Sequence, residues 1–188
     1  MNVNAVNDSL LFAKQRLDEL KRLNCGDLAG AKHENRQPLI QEFFFHLVGA
    51  VIILAQVINT KRSLGLCPAQ VSVREVLRKL SNSDPIKPLL SQLYPTTLSK
   101  EHKWLALPPD PYSDEGSHFR IVVFRHWVNH CGENPFFIRR GDETQPHISL
   151  FLDPRDRNLG GSKFPAIDEL EAFWNLVNDK CQRIIRNF

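Results

Sequence analysis

Between residues 8 and 23 the apolar side chains Leu10, Ala13, Leu17 and Leu20 recur at three- and four-residue steps. That spacing gathers them on one face of an amphipathic helix, with Asp8 or Ser9 placed to cap its start. The stretch 24–36 is polar, contains Gly26 and Gly30 and has no period, so it reads as a connector. From Pro38 to about Thr60 the pattern changes, because Phe43 to Ile58 is apolar on every side. A helix of that kind must be surrounded by others, since any face left in water exposes large side chains. Pro38 suits its first turn, and Lys61, Arg62 and Gly65 supply terminal charge and a stop.

Ser72-Val73-Arg74-Glu75 has the form of a capping box and opens a short helix with Val73, Val76, Leu77 and Leu80 on one face. Asp84-Pro85 starts another, which turns Leu89, Leu90, Leu93 and Tyr94 inward and ends at Pro95. Residues 96–116 are irregular and rich in proline, with a short helical piece at 98–105. Phe119 to Gly132, FRIVVFRHWVNHCG, follows. Its β-branched run Ile121-Val122-Val123 would suit a strand, but the spacing of Phe124, Trp127, Val128 and Cys131 and the closing Gly132 favour a helix, capped by Ser113 or Ser117. Residues 136–140 and 147–152 flank a turn-rich segment, and Ile148, Leu150 and Leu152 alternate with His147, Ser149 and Phe151, which predicts a β-hairpin at about 136–152. A charged loop at 153–163 leads to a closing amphipathic helix at 168–186. These elements describe a mainly α single domain over residues 1–188, a helical bundle with a β-hairpin before the C-terminal helix.

Length and composition agree, since 188 residues fit one domain and 42% hydrophobic with 24% charged residues exclude a disordered or fibrous chain. A net charge of +3 does not announce nucleic-acid binding, so location decides. Between His118 and Arg140 the charges are Arg120, Arg125, Arg139 and Arg140 against Glu133 alone. That is a basic region around the FRIVVFRHWVNHCG stretch, unless Arg139 and Arg140 are only solvated hairpin residues. Cys25, Cys67, Cys131 and Cys181 are scattered with no CxxC pair, which points to a reducing cytoplasm. The N-terminus lacks the basic and apolar blocks of a secretory signal. Phe43 to Thr60 holds 18 residues without a formal charge, long enough for a membrane span, but His46, Gln56, Asn59 and Gly49 within it favour a buried core helix.

The candidate chemistry lies in Arg125-His126-Trp127-Val128-Asn129-His130. On a helix His126 and His130 share a face one turn apart, whereas Arg125 and His130 are about 140° apart. Two readings follow. The histidine pair could ligate a metal, but no third ligand or HExxH signature accompanies it. Alternatively Arg125 grips a phosphate and a histidine moves protons near neutral pH, which are the parts RNA cleavage needs when the substrate's own 2′-hydroxyl is the nucleophile. A structural role is the competing explanation: His130 at the helix C-terminus favours the dipole, and Arg125 pairs with an acid such as Glu42.

The six residues Arg125 to His130 resemble the motif of the HEPN (higher eukaryotes and prokaryotes nucleotide-binding) superfamily: an Arg, a polar Asn, Asp or His, three variable residues and a His. The resemblance implies an antiparallel helical bundle that dimerises so that two motifs face one another. It implies metal-independent endoribonuclease activity of toxin or defence type, with no cofactor, or a non-catalytic interaction or nucleotide-binding module where catalysis is lost. By that resemblance Arg125 holds the scissile phosphate, His130 acts as acid or base and His126 shapes the pocket. Asn129, Arg120, Arg139 and Arg140 are the candidate RNA-binding residues. Expected partners are RNA, a second copy of the chain and an antitoxin or other protein, in the cytoplasm and without a membrane. The β-hairpin and the 153–163 loop depart from the simplest bundle of this kind.

Overall fold

The computed structural model describes residues 2–24, 36–93, 107–130, 136–139 and 147–188, and for residues 129, 130, 136–139, 147, 148 and 157 the backbone alone. The described chain is mainly helical, with helices α1 (Val3–Asn24), α2 (Arg36–Lys61), α3 (Val73–Lys79), α4 (Ile86–Ser91), α5 (Asp114–His130) and α6 (Ala166–Ile185). Two short strands, β1 (Phe136–Arg139) and β2 (His147–Leu150), pair antiparallel with Phe136 opposite Leu150 and Arg139 opposite His147. The turn expected at 141–145, the connector at 25–35, the piece at 98–105, Tyr94, Arg140 and Gly132 lie outside the described residues.

α2 is the axis of the assembly and packs against α1, α3, α5 and α6. Phe43, Phe44, Leu47, Leu54, Val57 and Ile58 are fully buried. The ring of Phe44 stacks on Phe124 of α5 with centroids 5.5 Å apart and sits 6.3 Å from Phe173 of α6, so one residue joins three helices. Among the described helices α2 is the one long and apolar enough to cross a membrane, with 50% of its most apolar window buried inside the fold. Its surroundings are incomplete, however. Phe45 and Ile52 remain 55% and 38% exposed, so the expectation that every face of this helix is covered is corrected. Helices α1 and α5 flank α2 without closing over that stripe.

The first helix starts a turn and a half earlier than its leucine stripe suggests. Asn2 accepts the Asn4 amide through its side chain at the true start, and Val6 extends the buried stripe. Ser9 is therefore not a cap. It is buried, and its hydroxyl donates to the carbonyl of His46 at 2.8 Å. α1 and α2 cross closely there, and a Cβ on Gly49 would lie 3.3 Å from Ser9 Oγ.

The end of α2 also differs from expectation. The Ser63 amide donates to the Thr60 carbonyl and the Leu64 amide to that of Asn59. Ser63 with φ 49° takes the left-handed position that closes the helix, and Gly65 with φ 71° takes a second one two residues further on. Asn59 then clamps the exit by bonding both the amide and the carbonyl of Leu66.

Two caps match the sequence pattern. Ser72 accepts from the Glu75 amide to start α3, and Ser113 accepts from the Gly116 amide to start α5. After β2 the chain turns back on itself, with Ser162 donating to the Leu150 carbonyl and Leu152 to that of Gly160. The result is a short extension of the strand pair that delivers α6 to the core.

Candidate functional site

Arg125 is delivered by the fourth turn of α5. The neighbouring side chains fix its direction: Phe124 and Val128 are buried against α2, while His126 is exposed on the next position round the helix. Gln41 of α2 donates its side-chain amide to the Val128 carbonyl at 2.8 Å. That carbonyl is among the last of α5, which have no partner inside the helix, so Gln41 both satisfies it and anchors the turn bearing the motif. Nothing in the local pattern around Gln41 advertises this role, because the bond spans 87 residues of sequence.

Arg125 opens onto a groove of about 450 Å³. α1 contributes Ala5, Asp8, Ser9 and Phe12, a single helical face. α2 contributes Phe45, His46, Gly49, Ile52, Ile53 and Gln56, again at three- and four-residue steps along one stripe. The Arg125 Nε is buried and has no hydrogen-bond partner among the described residues, and Gln56 Oε1 is in the same condition. These are two buried polar atoms without partners among the residues that line the groove, and each costs stability until it is satisfied.

The expected pairing of Arg125 with Glu42 does not form. Glu42 is taken by Arg16 of α1, with Nε 2.8 Å from the carboxylate, and Arg16 also bonds Glu19 at 2.7 Å. His46 packs against the rings of Phe12 and Phe45, with centroids 5.3 and 5.4 Å away. Burial lowers its pKa below the ordinary histidine value, Glu42 acts in the opposite sense and Arg16 reinforces the lowering. The shift favours the neutral imidazole, which offers one donor and one acceptor.

Arg120 is a correction. It was placed among the RNA-binding residues, but its side chain is 1% exposed and bound to Glu169 of α6, itself 4% exposed. Arg120 also donates to the Phe151 carbonyl and lies over the rings of Phe173 and Phe124. A guanidinium so enclosed cannot meet a phosphate. Its place three turns from the end of the helix, among Ile121, Phe124 and Val128, is the signal that could have identified it as a core residue.

Asn129 and His130 occupy the last turn of α5, and Arg139 stands opposite His147 in the strand pair; their side chains are not described. Arg125 and His46 are therefore brought together in one groove, whereas Arg120 is removed from it. Phe12 and Gln56 also belong to the groove and carried no motif in the sequence. Among the described residues no three His, Cys, Asp or Glu side chains gather as metal ligands. Compared with protein-family models, curated proteins and solved structures, the chain matches none.

Proposed function

We propose that the chain is a metal-independent endoribonuclease of the HEPN type, acting as a homodimer in which each copy presents Arg125 and His130 to a shared site. The supporting observation is that Arg125 lines an open groove with no carboxylate partner among the described residues, whereas Arg16, Arg62 and Arg120 are each held by a carboxylate. In the reaction the RNA 2′-hydroxyl attacks the adjacent phosphorus and the bond to the 5′-oxygen breaks. A base takes the 2′-hydroxyl proton and an acid protonates the departing 5′-oxygen, leaving a cyclic phosphate and a 5′-hydroxyl. Arg125 stabilises the charge on the phosphoryl oxygens, His130 is the acid or base with the partner copy supplying its counterpart, and His126 shapes the pocket.

A purified preparation with RNA in EDTA tests this reading. Wild type is expected to cleave, and Arg125→Ala and His130→Ala to lose about a hundredfold or more. Equal cleavage by all three proteins overturns it, and loss of wild-type cleavage in EDTA alone redirects the chemistry to a His126/His130 metal site.

A second reading, a non-catalytic interaction module, is favoured by the exposed Leu11, Phe12, Phe45 and Ile52 along α1 and α2. Under it His130→Ala changes nothing, and substitutions at Arg125 or Trp127 weaken a protein complex.

A further inference from the structure

The groove beside Arg125 holds a second group able to move protons. Two contacts set how α2 and α5 lie against each other: Gln41 bonds the Val128 carbonyl, and the ring of Phe44 stacks on that of Phe124. Rising numbers on α2 meet falling numbers on α5, so the helices run antiparallel there and Arg125 stands level with the turn bearing Phe45 and His46. His46 and Arg125 are both half-buried and both line the groove, neither sealed in the core nor fully in solvent. Phe12, crossing from α1, and Phe45 pack against the imidazole and restrict its orientation. Among the described residues His46 makes its hydrogen bond through its carbonyl, to Ser9, so neither ring nitrogen is engaged by a described residue. Of the other histidines with described side chains, His118 is 2% exposed and His126 is not a lining residue of this groove.

We propose that His46 is the general base of the reaction, taking the proton of the RNA 2′-hydroxyl while Arg125 holds the phosphate that this oxygen attacks. The inference rests on the RNA-directed reading above and deepens it: each copy carries a base of its own, and His130 is left the acid's part in the shared site. As the 2′-oxygen bonds to phosphorus, its proton passes to an imidazole nitrogen of His46. The bond to the 5′-oxygen breaks, that oxygen departs with the electron pair and takes a proton from His130, and solvent then removes the proton from His46 and restores that of His130. The charges around His46 suit a base. Arg16 of α1 holds Glu42 at 2.8 Å, so the carboxylate one turn before His46 on α2 is not committed to the imidazole, yet it favours the imidazolium that proton transfer creates. Asp8 of α1 and Arg125 of α5 are the other charges that line the groove. Burial is the largest influence on His46 and, with Arg16, lowers its pKa against the pull of Glu42, which favours the unprotonated ring that a base requires.

RNA cleavage by the full-length protein in EDTA is measured across about pH 5–8 for wild type, His46→Gln, His46→Ala and Arg125→Ala. Wild-type activity should rise with pH through the His46 pKa, below the ordinary histidine value of 6.5. His46→Gln keeps a polar side chain against the two rings but cannot take up a proton, and it should lose about a hundredfold or more together with the acid limb. Added imidazole should restore part of the His46→Ala rate in proportion to its unprotonated fraction, which no replacement for a merely packed side chain would do. Glu42→Gln should move the wild-type acid limb to lower pH and Arg16→Met to higher pH, because the first removes an influence that raises the His46 pKa and the second one that lowers it. Wild-type rates in the His46 variants, activity lost without restoration by imidazole, or an acid limb that stays in place in both Glu42→Gln and Arg16→Met overturns His46 as the base. Arg125→Ala that is inactive in the same assay then leaves the RNA-directed reading standing. Absence of cleavage by wild type overturns both.

Discussion

Arg120 of α5 and Glu169 of α6 form a two-pronged ion pair inside the protein, the second prong measuring 3.1 Å from Nη2 to Oε2. Breaking one side leaves a buried charge without compensation. Glu169→Ala or Arg120→Ala should therefore cost about 3–5 kcal/mol in urea unfolding, whereas Arg120→Met/Glu169→Leu should recover most of the loss because both charges go together. A double variant no more stable than either single one contradicts the account.

His118, one turn from the start of α5, is 2% exposed and its Nε2 has no partner among the described residues. Burial lowers its pKa to about 4, Lys180 adds to the lowering and Asp114 opposes it. The unfolded chain binds a proton at ordinary histidine values near 6.5, and the folded chain does not until about 4. Stability is therefore complete above pH 6.5 and falls as pH drops from 6.5 to 4, by about 3 kcal/mol in total. His118→Leu should flatten most of that slope in chemical denaturation across this window. His46, shifted in the same direction, leaves a residual slope of the same sign.

Ser63 holds a left-handed backbone at φ 49° at the end of α2. Glycine adopts that conformation without a Cβ penalty, so Ser63→Gly should raise stability by about 0.5–1 kcal/mol, seen as a higher thermal midpoint. Ser63→Val at the same position should lower it.

The crossing of α1 and α2 at Gly49 is close enough for a direct check. A side chain there must displace Ser9, whose Oγ would be 3.3 Å from the new Cβ. Gly49→Leu should cost about 1–3 kcal/mol by overpacking. It should also reshape the groove and weaken RNA binding. Combining Gly49→Ala with Ser9→Ala should be far milder, because the obstructing hydroxyl is gone.

Cys181 is buried and its thiol is pushed up to about 12, whereas Cys67 is exposed. Alkylation at pH 8 followed by mass mapping should modify Cys67 in the native protein and reach Cys181 only after unfolding. Rapid native labelling of Cys181 would show that α6 detaches from the core.

The helices were legible where local chemistry and burial agree. The stripe Leu10, Ala13, Leu17 and Leu20 and the cap at Ser72 are read within a few residues of chain. The Ser63 turn was not, since serine in a left-handed position is imposed by the connection through Leu64 and Leu66 and has no composition signal. Arg120 shows the same limit from the other side. Its charge suggested a surface role, and only a carboxylate 49 residues away makes its burial affordable. Arg125 stands out in the sequence by its motif, but its groove neighbours Phe12, His46 and Gln56 come from two other helices and share no motif with it. Grooves assembled from several helices are written in tertiary packing, and spacing along one chain segment cannot reveal them.

The stripe Phe45, His46, Gly49, Ile52, Ile53 and Gln56 lies on the same helix whose other faces bury Phe43, Phe44, Leu47, Leu54 and Ile58. α2 is thus at once keel and deck. A ligand resting on it presses on the buried axis of the fold, so any adaptation to different ligands falls to the side chains of α1 and to Arg125. Divergence of recognition in such a protein would proceed by exchanging residues at positions 5, 8 and 12 while the helix beneath them stays fixed.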